Sequence, residues 1–132
     1  EVQRMQERAD AQKLLMAMQT YGDVQCVTGK ANVESMDALR EMADLTEGKL
    51  KKGVVILCAV MDDKVNIVAK ASKEAVASGV HVGKIVKEAA KEVGGGGGGR
   101  PEMAQAGGKE PEKIPKAMET AVAILKAQLG LA

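Results

Sequence analysis

The sequence predicts an α/β fold, a small mixed β-sheet flanked by helices, with an extended helix at its N-terminus, and three observations carry that expectation. Val54-Val55-Ile56-Leu57-Cys58-Ala59-Val60 is continuously apolar and rich in β-branched residues, as a central strand covered on both faces requires. Asp62-Asp63 then turns the chain into Lys64-Val65-Asn66-Ile67-Val68-Ala69-Lys70, a hairpin partner. Beyond Gly79, the residues Val82, Ile85, Val86, Ala89, Ala90 and Val93 recur at the spacing of a helix with one apolar stripe.

Taken in order, residues 1–20 read as a helix in which Val2, Met5, Ala9 and Met16 fall near a seven-residue repeat, while Arg4, Glu7, Arg8 and Lys13 stay outside it. Two readings stand: a helix packed on its own domain, or the tail of a coiled coil in which Val2, Met5, Ala9 and Met16 form a dimer contact. Gln12 in the seam weakens both. Tyr21-Gly22-Asp23 punctuates, which divides the chain into an N-terminal helical segment, residues 1–21, and a globular domain, residues 22–132. Val24-Gln25-Cys26-Val27-Thr28 reads as a strand. Ser35 or Asn32 caps a helix with Met36, Leu39, Met42 and Ala43 on one face, ending at Gly48. Later in the chain, Met103 to Ala106 adds a short edge strand. Pro111 or Pro115 opens a last helix carrying Met118, Val122, Leu125 and Leu129 on one face.

Composition narrows the function. At 132 residues the chain buries one core, and 19 basic against 18 acidic residues leave a net charge of +1. That balance disfavours a general polyanion binder or a membrane-surface protein, so any nucleic-acid contact has to come from a local patch. The longest apolar run is too short to span a bilayer and the first residues form no signal region, which points to a soluble, cytoplasmic chain. A start without methionine, inside a helical pattern, leads us to expect a segment of a longer protein. With no Trp, no Phe and a single Tyr, modules that stack bases on aromatic side chains are disfavoured, so RNA would be read by shape and backbone. Tyr21 itself reads as a packing residue.

Catalytic and metal chemistry find little support. Cys26 and Cys58 sit in apolar runs without Cys-x-x-Cys spacing, and His81 is the one histidine, so reduced structural thiols and no metal are expected. His81 precedes an amphipathic helix and reads as a cap or surface residue. Asp62-Asp63 reads as turn chemistry rather than as a carboxylate pair. No cofactor site is legible.

The most unusual stretch is Gly94, Gly95, Gly96, Gly97, Gly98 and Gly99, followed directly by Arg100-Pro101-Glu102-Met103-Ala104-Gln105-Ala106-Gly107-Gly108. A flexible linker would be diluted with serine, so this reads as a built site. It is no P-loop, because Gly99 leads into Arg100-Pro101 and not into Lys-Ser/Thr. It is no dinucleotide fingerprint either, because it follows a helix and not a strand. Without β-carbons it can place backbone N–H groups around a phosphate, or let another polymer's backbone lie close. Lys84, Lys87 and Lys91 share one helix face and, with Arg100, line one side of the run. The alternative is a solvated face on which Glu88 and Glu92 pair with the lysines.

The phrase from Val93 to Gly108 resembles the C-terminal domain of the alanyl-tRNA synthetase family, whose glycine-rich segment leads into Arg-Pro-Asp-Met-Ala-Gln-Ala-Gly-Gly. The similarity extends upstream through Lys84-Ile85-Val86-Lys87 and the strands at Val54 and Lys64, and downstream through Pro115-Lys116-Ala117-Met118. The resemblance implies a domain that contacts the outer corner of tRNA, is joined to an editing domain by a helical segment and, in some members, dimerises. Adenylate formation and editing then belong to other domains, so this fragment catalyses nothing, needs no cofactor and has alanine tRNA and the parent's own catalytic and editing domains as partners. The glycine run with Arg100, Pro101, Met103 and Gln105 would form the signature surface. Two departures stand out: many relatives carry a lysine where this chain has Gly96, and an aspartate where it has Glu102. A related accessory domain occurs in DHH-type phosphoesterases, where a histidine-bearing variant follows the glycines; here Arg100 stands there and no Asp-His-His motif occurs. The alternatives are therefore a purely structural or dimerisation module and the substrate-binding domain of such a phosphoesterase.

Overall fold

The structure, a computed structural model, describes residues 14–16, 18–31 and 33–131. Its centre is the expected hairpin. Strand β3 (Gly53–Met61) pairs antiparallel with β4 (Lys64–Ala71) along their whole lengths, from Val54 opposite Ala71 to Met61 opposite Lys64. Asp62 and Asp63 make the turn with φ of +52° and +62°, a left-handed pair whose twist matches that of the flanking strands. Val54 through Ala59 are all buried, because helices cover both faces of β3.

Strand β2 (Val24–Lys30) lies parallel to β3 and reaches it through helix α1 (Met36–Glu47), as parallel neighbours require a crossover. Ser35 is the cap, its Oγ accepting the Ala38 N–H at 3.1 Å, and Leu39, Met42 and Ala43 face the core. The other candidate cap, Asn32, lies outside the described residues. On the far side of β2 the structure corrects the sequence reading. Gln19–Tyr21 is strand β1, antiparallel to β2 through the tight turn Gly22-Asp23, and not the end of a helix. The pairing Tyr21 with Val24 supplies backbone partners that outweigh a weak helical pattern at its frayed end. Residues 14–16 are helical, and Leu14 and Leu15 pack on the core. The remainder of the expected N-terminal helix, including Val2, Met5, Ala9 and Gln12, lies outside the described residues.

After β4 come a short helix α2 (Lys73–Ala77) capped by Ser72, helix α3 (Val82–Glu92), strand β5 (Gly96–Gly99), strand β6 (Met103–Gly108), a 3-10 turn at Pro111–Lys113 and helix α4 (Ile114–Gln128). The sheet order is β1-β2-β3-β4-β6-β5. One face packs on α3 and α4, with Val82, Ile85, Val86, Ala89 and Val93 buried as the spacing predicts; the other packs on α1. Helix α4 departs from its expected face. Ile114, Ala117, Ala121 and Leu125 are buried, whereas Met118, Val122 and Leu129 lie half-buried on its flank, because small alanines let α4 sit close to the sheet.

Strand β6 is also corrected. It is not an edge: it runs from Met103 to Gly108 with β4 on one side and β5 on the other. The edge is the glycine run itself.

Candidate nucleic-acid interface

The glycine run does three structural jobs in six residues. Gly94 ends α3 in the left-handed conformation, φ +72°, and its N–H donates to the Lys91 C=O at 3.2 Å while the Gly95 N–H donates to the Ala90 C=O at 2.8 Å. This paired closure satisfies carbonyls that the helix end leaves open. The chain then doubles back, and Gly96, Gly97, Gly98 and Gly99 pair with Gly107, Ala106, Gln105 and Ala104 in turn. A Cβ at Gly95 or Gly97 would stand 2.5 Å from the Gly108 or Ala106 Cα, so at these two positions only glycine fits. At Gly96 a Cβ would meet nothing within 4 Å. Gly94 through Gly97, Gly99 and Arg100 are exposed and Gly98 is half-buried. The run is thus an ordered sheet edge without side chains.

The Arg100-Pro101-Glu102-Met103 phrase is the turn that returns the chain from β5 to β6. The Arg100 N–H donates to the Met103 C=O at 2.9 Å, the Pro101 C=O accepts the Val82 N–H at 3.1 Å, and the Glu102 C=O accepts the Ala71 N–H at 3.0 Å. Two carbonyls of this short turn therefore hold the start of α3 and the end of β4. Arg100 extends outward, its side chain 76% exposed, with Nε 3.2 Å from the Glu102 carboxylate. Glu102 draws on the cation that a phosphate would need.

Alternation along β6 sends Ala104 and Ala106 toward α3 and places Met103 and Gln105 on the opposite face, where Met103 packs on the α1 side. Gln105 is half-buried, with Gly98 opposite it in β5 and Val68 opposite it in β4. Lys84, Lys87 and Lys91 are exposed on α3, across the sheet from Gln105. Lys91 is paired with Glu88 at 3.2 Å, and Lys84 and Lys87 line a groove with Glu88, Ile124, Ala127 and Gln128 of α3 and α4. Of the expected residues, Arg100, Met103 and Gln105 lie in or beside the β5–β6 pair, whereas Lys84 and Lys87 line the groove between α3 and α4. Of the expected dimer residues, the described one, Met16, is 88% exposed.

Sequence reasoning missed Gly83. It lies in the first turn of α3, buried, and a Cβ there would collide with the Gly99 carbonyl, 2.9 Å from its carbon. A glycine inside a strongly periodic helix was the available signal. His81 does cap α3, its Nδ1 accepting the Lys84 N–H at 3.2 Å. The thiols offer no reactive group: burial pushes Cys26 up to about 12 and Cys58 up to about 11. Among the described residues no group of three or more His, Cys, Asp or Glu is placed to hold a metal, and no helix is long and apolar enough to cross a membrane.

The sequence pattern of the DHHA1 domain matches residues 23–127. The alanine–tRNA ligase of Alkaliphilus oremlandii is 48% identical over 128 residues, covering 89% of this chain and 14% of that protein. The chain thus spans about one-seventh of such a relative's length. Among solved structures, the C-Ala domain of Aquifex aeolicus alanyl-tRNA synthetase superposes with a TM-score of 0.73 at 33% identity, covering 86% of this chain and 98% of that one. RecJ from Thermus thermophilus shares the fold, with a TM-score of 0.63 at 13% identity over 94% of this chain and 18% of that one. By the DHHA1 match over most of its length, the chain belongs to the DHHA1 domain family, as a C-Ala domain of the alanyl-tRNA synthetase type.

Proposed function

We propose that this domain docks the outer corner of folded tRNA on the glycine edge, and that it serves a parent chain that is a cytoplasmic alanine–tRNA ligase. The domain performs no reaction. By holding tRNA it raises the local concentration of acceptor end for aminoacylation and editing sites elsewhere on the polypeptide. One observation carries the reading: an exposed strand edge without side chains, with Arg100 at its end and Lys84 and Lys87 exposed on the helix that packs against it. A sugar–phosphate backbone can approach such an edge more closely than any edge bearing side chains, and backbone amides with a few cations give shape-based recognition. Sequence identity is then read by other domains.

The test is a titration of the 132-residue chain with a tRNA transcript over a salt series. Binding should weaken with salt, with the shallow slope of a few phosphate contacts, and a DNA duplex of equal length should compete poorly. Absent or salt-independent binding overturns the reading.

A second reading, a dimerisation module, draws on Met16, a methionine left 88% exposed beside core-packed Leu15. It predicts a concentration-dependent mass, abolished by Met16→Glu, with no tRNA bound.

A further inference from the structure

We infer that Gln128, the last residue of α4, is a positioning residue for the glycine edge. Its side-chain amide brackets one residue of backbone: Oε1 accepts the His81 N–H at 2.9 Å and Nε2 donates to the His81 C=O at 3.1 Å. Both groups are half-buried, which shields these bonds from water. His81 in turn orders the first turn of α3, its Nδ1 accepting the Lys84 N–H at 3.2 Å and its C=O accepting the Ile85 N–H at 3.3 Å.

That first turn is where the far end of β5 is held. The Val82 N–H donates to the Pro101 C=O at 3.1 Å, and Gly83 seats the Gly99 carbonyl. The near end of β5 is anchored differently, by the closure of α3 onto Gly94 and Gly95. β5 is therefore strung between the two ends of one helix. Having no side chains, it is positioned by its backbone ladder with β6 and, at its Gly99 end, by the α3 N-terminus as well. Gln128 fixes the aim of that N-terminus from another helix. The relay runs from Gln128 to His81, to the Val82-Gly83 turn, to Gly99-Arg100-Pro101.

Its consequence for binding rests on the docking reading above, and the experiment separates the two. Gln128→Leu in the 132-residue chain removes both bonds at similar volume. Amide exchange at Gly98 and Arg100, whose N–H groups face β6, should accelerate by about tenfold, the loss of one to two net hydrogen bonds, while β3 amides keep their protection. The Kd for a tRNA transcript should weaken about threefold to tenfold with an unaltered salt slope, because no phosphate contact is lost. Gln128→Glu, which retains the acceptor and loses the donor, should accelerate the same amides in a chain with wild-type helix content; its added charge beside Lys84 and Lys87 leaves the salt-slope comparison to Gln128→Leu. Unchanged exchange at Gly98 and Arg100 in both variants overturns the relay. Faster exchange with unchanged Kd overturns its role in binding, and so does a flattened slope. Failure of the wild-type chain to bind tRNA sinks the docking reading alone, since the exchange data still decide on Gln128.

Discussion

Gly83 of helix α3 and Gly99 of strand β5 meet backbone against backbone, with no room for a β-carbon between them. Two residues that carry no side chain thus define how close the glycine edge lies to the helix that bears Lys84 and Lys87. The run of six glycines has a seventh partner sixteen positions from its end, and the contact gives a steric reason for a glycine in a helix whose other apolar positions are filled.

Gly83→Ala tests that contact. Alanine favours the helix locally by about 1 kcal/mol, yet its methyl group must displace Gly99. We expect a net destabilisation of about 1–3 kcal/mol, read in a denaturant titration, together with a lower affinity for tRNA. A variant as stable as wild type would show that β5 yields freely.

Gly96 and Gly97 should respond in opposite ways although they are adjacent. Gly96→Lys meets open space and adds a cation, so stability should change by less than about 0.5 kcal/mol while the salt slope of tRNA binding steepens by about one. Gly97→Val drives its β-carbon to within 2.5 Å of the Ala106 Cα and should disrupt the β5–β6 ladder. Equal melting temperatures for the two variants would contradict the pairing register.

Glu102 restrains Arg100. The pair is exposed at 76% and 48%, where ion pairs contribute little, so Glu102→Gln should leave the melting temperature within about 2 °C. Freed of its carboxylate, Arg100 should bind tRNA about threefold more tightly, and Arg100→Ala should reduce the salt slope by about one. Identical affinities for all three proteins would remove Arg100 from the interface.

The two thiols make a pH prediction. Burial raises Cys26 to about 12 and Cys58 to about 11, above the value near 8.5 of an unfolded cysteine, so the folded state holds their protons longer. Their contribution is fully present below about pH 8.5 and is lost as pH rises toward 11–12, at up to about 1.4 kcal/mol per unit per thiol. Native protein should resist alkylation at pH 8, and the alkaline loss of stability should shrink in a Cys26→Ala, Cys58→Ala variant. An unchanged alkaline slope would contradict the burial.

Local chemistry made much of this molecule legible in one dimension. The unbroken apolar run of β3, the Asp62-Asp63 turn, the Ser35 cap and the stripe from Val82 to Val93 each depend on neighbours within a few residues, and each lies where the pattern puts it. The phrase after Gly99 was enough to bring the family into view. What it could not convey was position: that Met103 begins an interior strand, that residues 19–21 join the sheet, that Ala117 and Ala121 rather than Met118 and Val122 face the core, and that the glycines form a strand at all. Glycine has no side chain and so leaves no hydrophobic period to read; its conformation is chosen by the strand beside it and the helix beneath it. Those partners, Gln105 and Ala106 on one side and Gly83 on the other, come together only when the chain has folded.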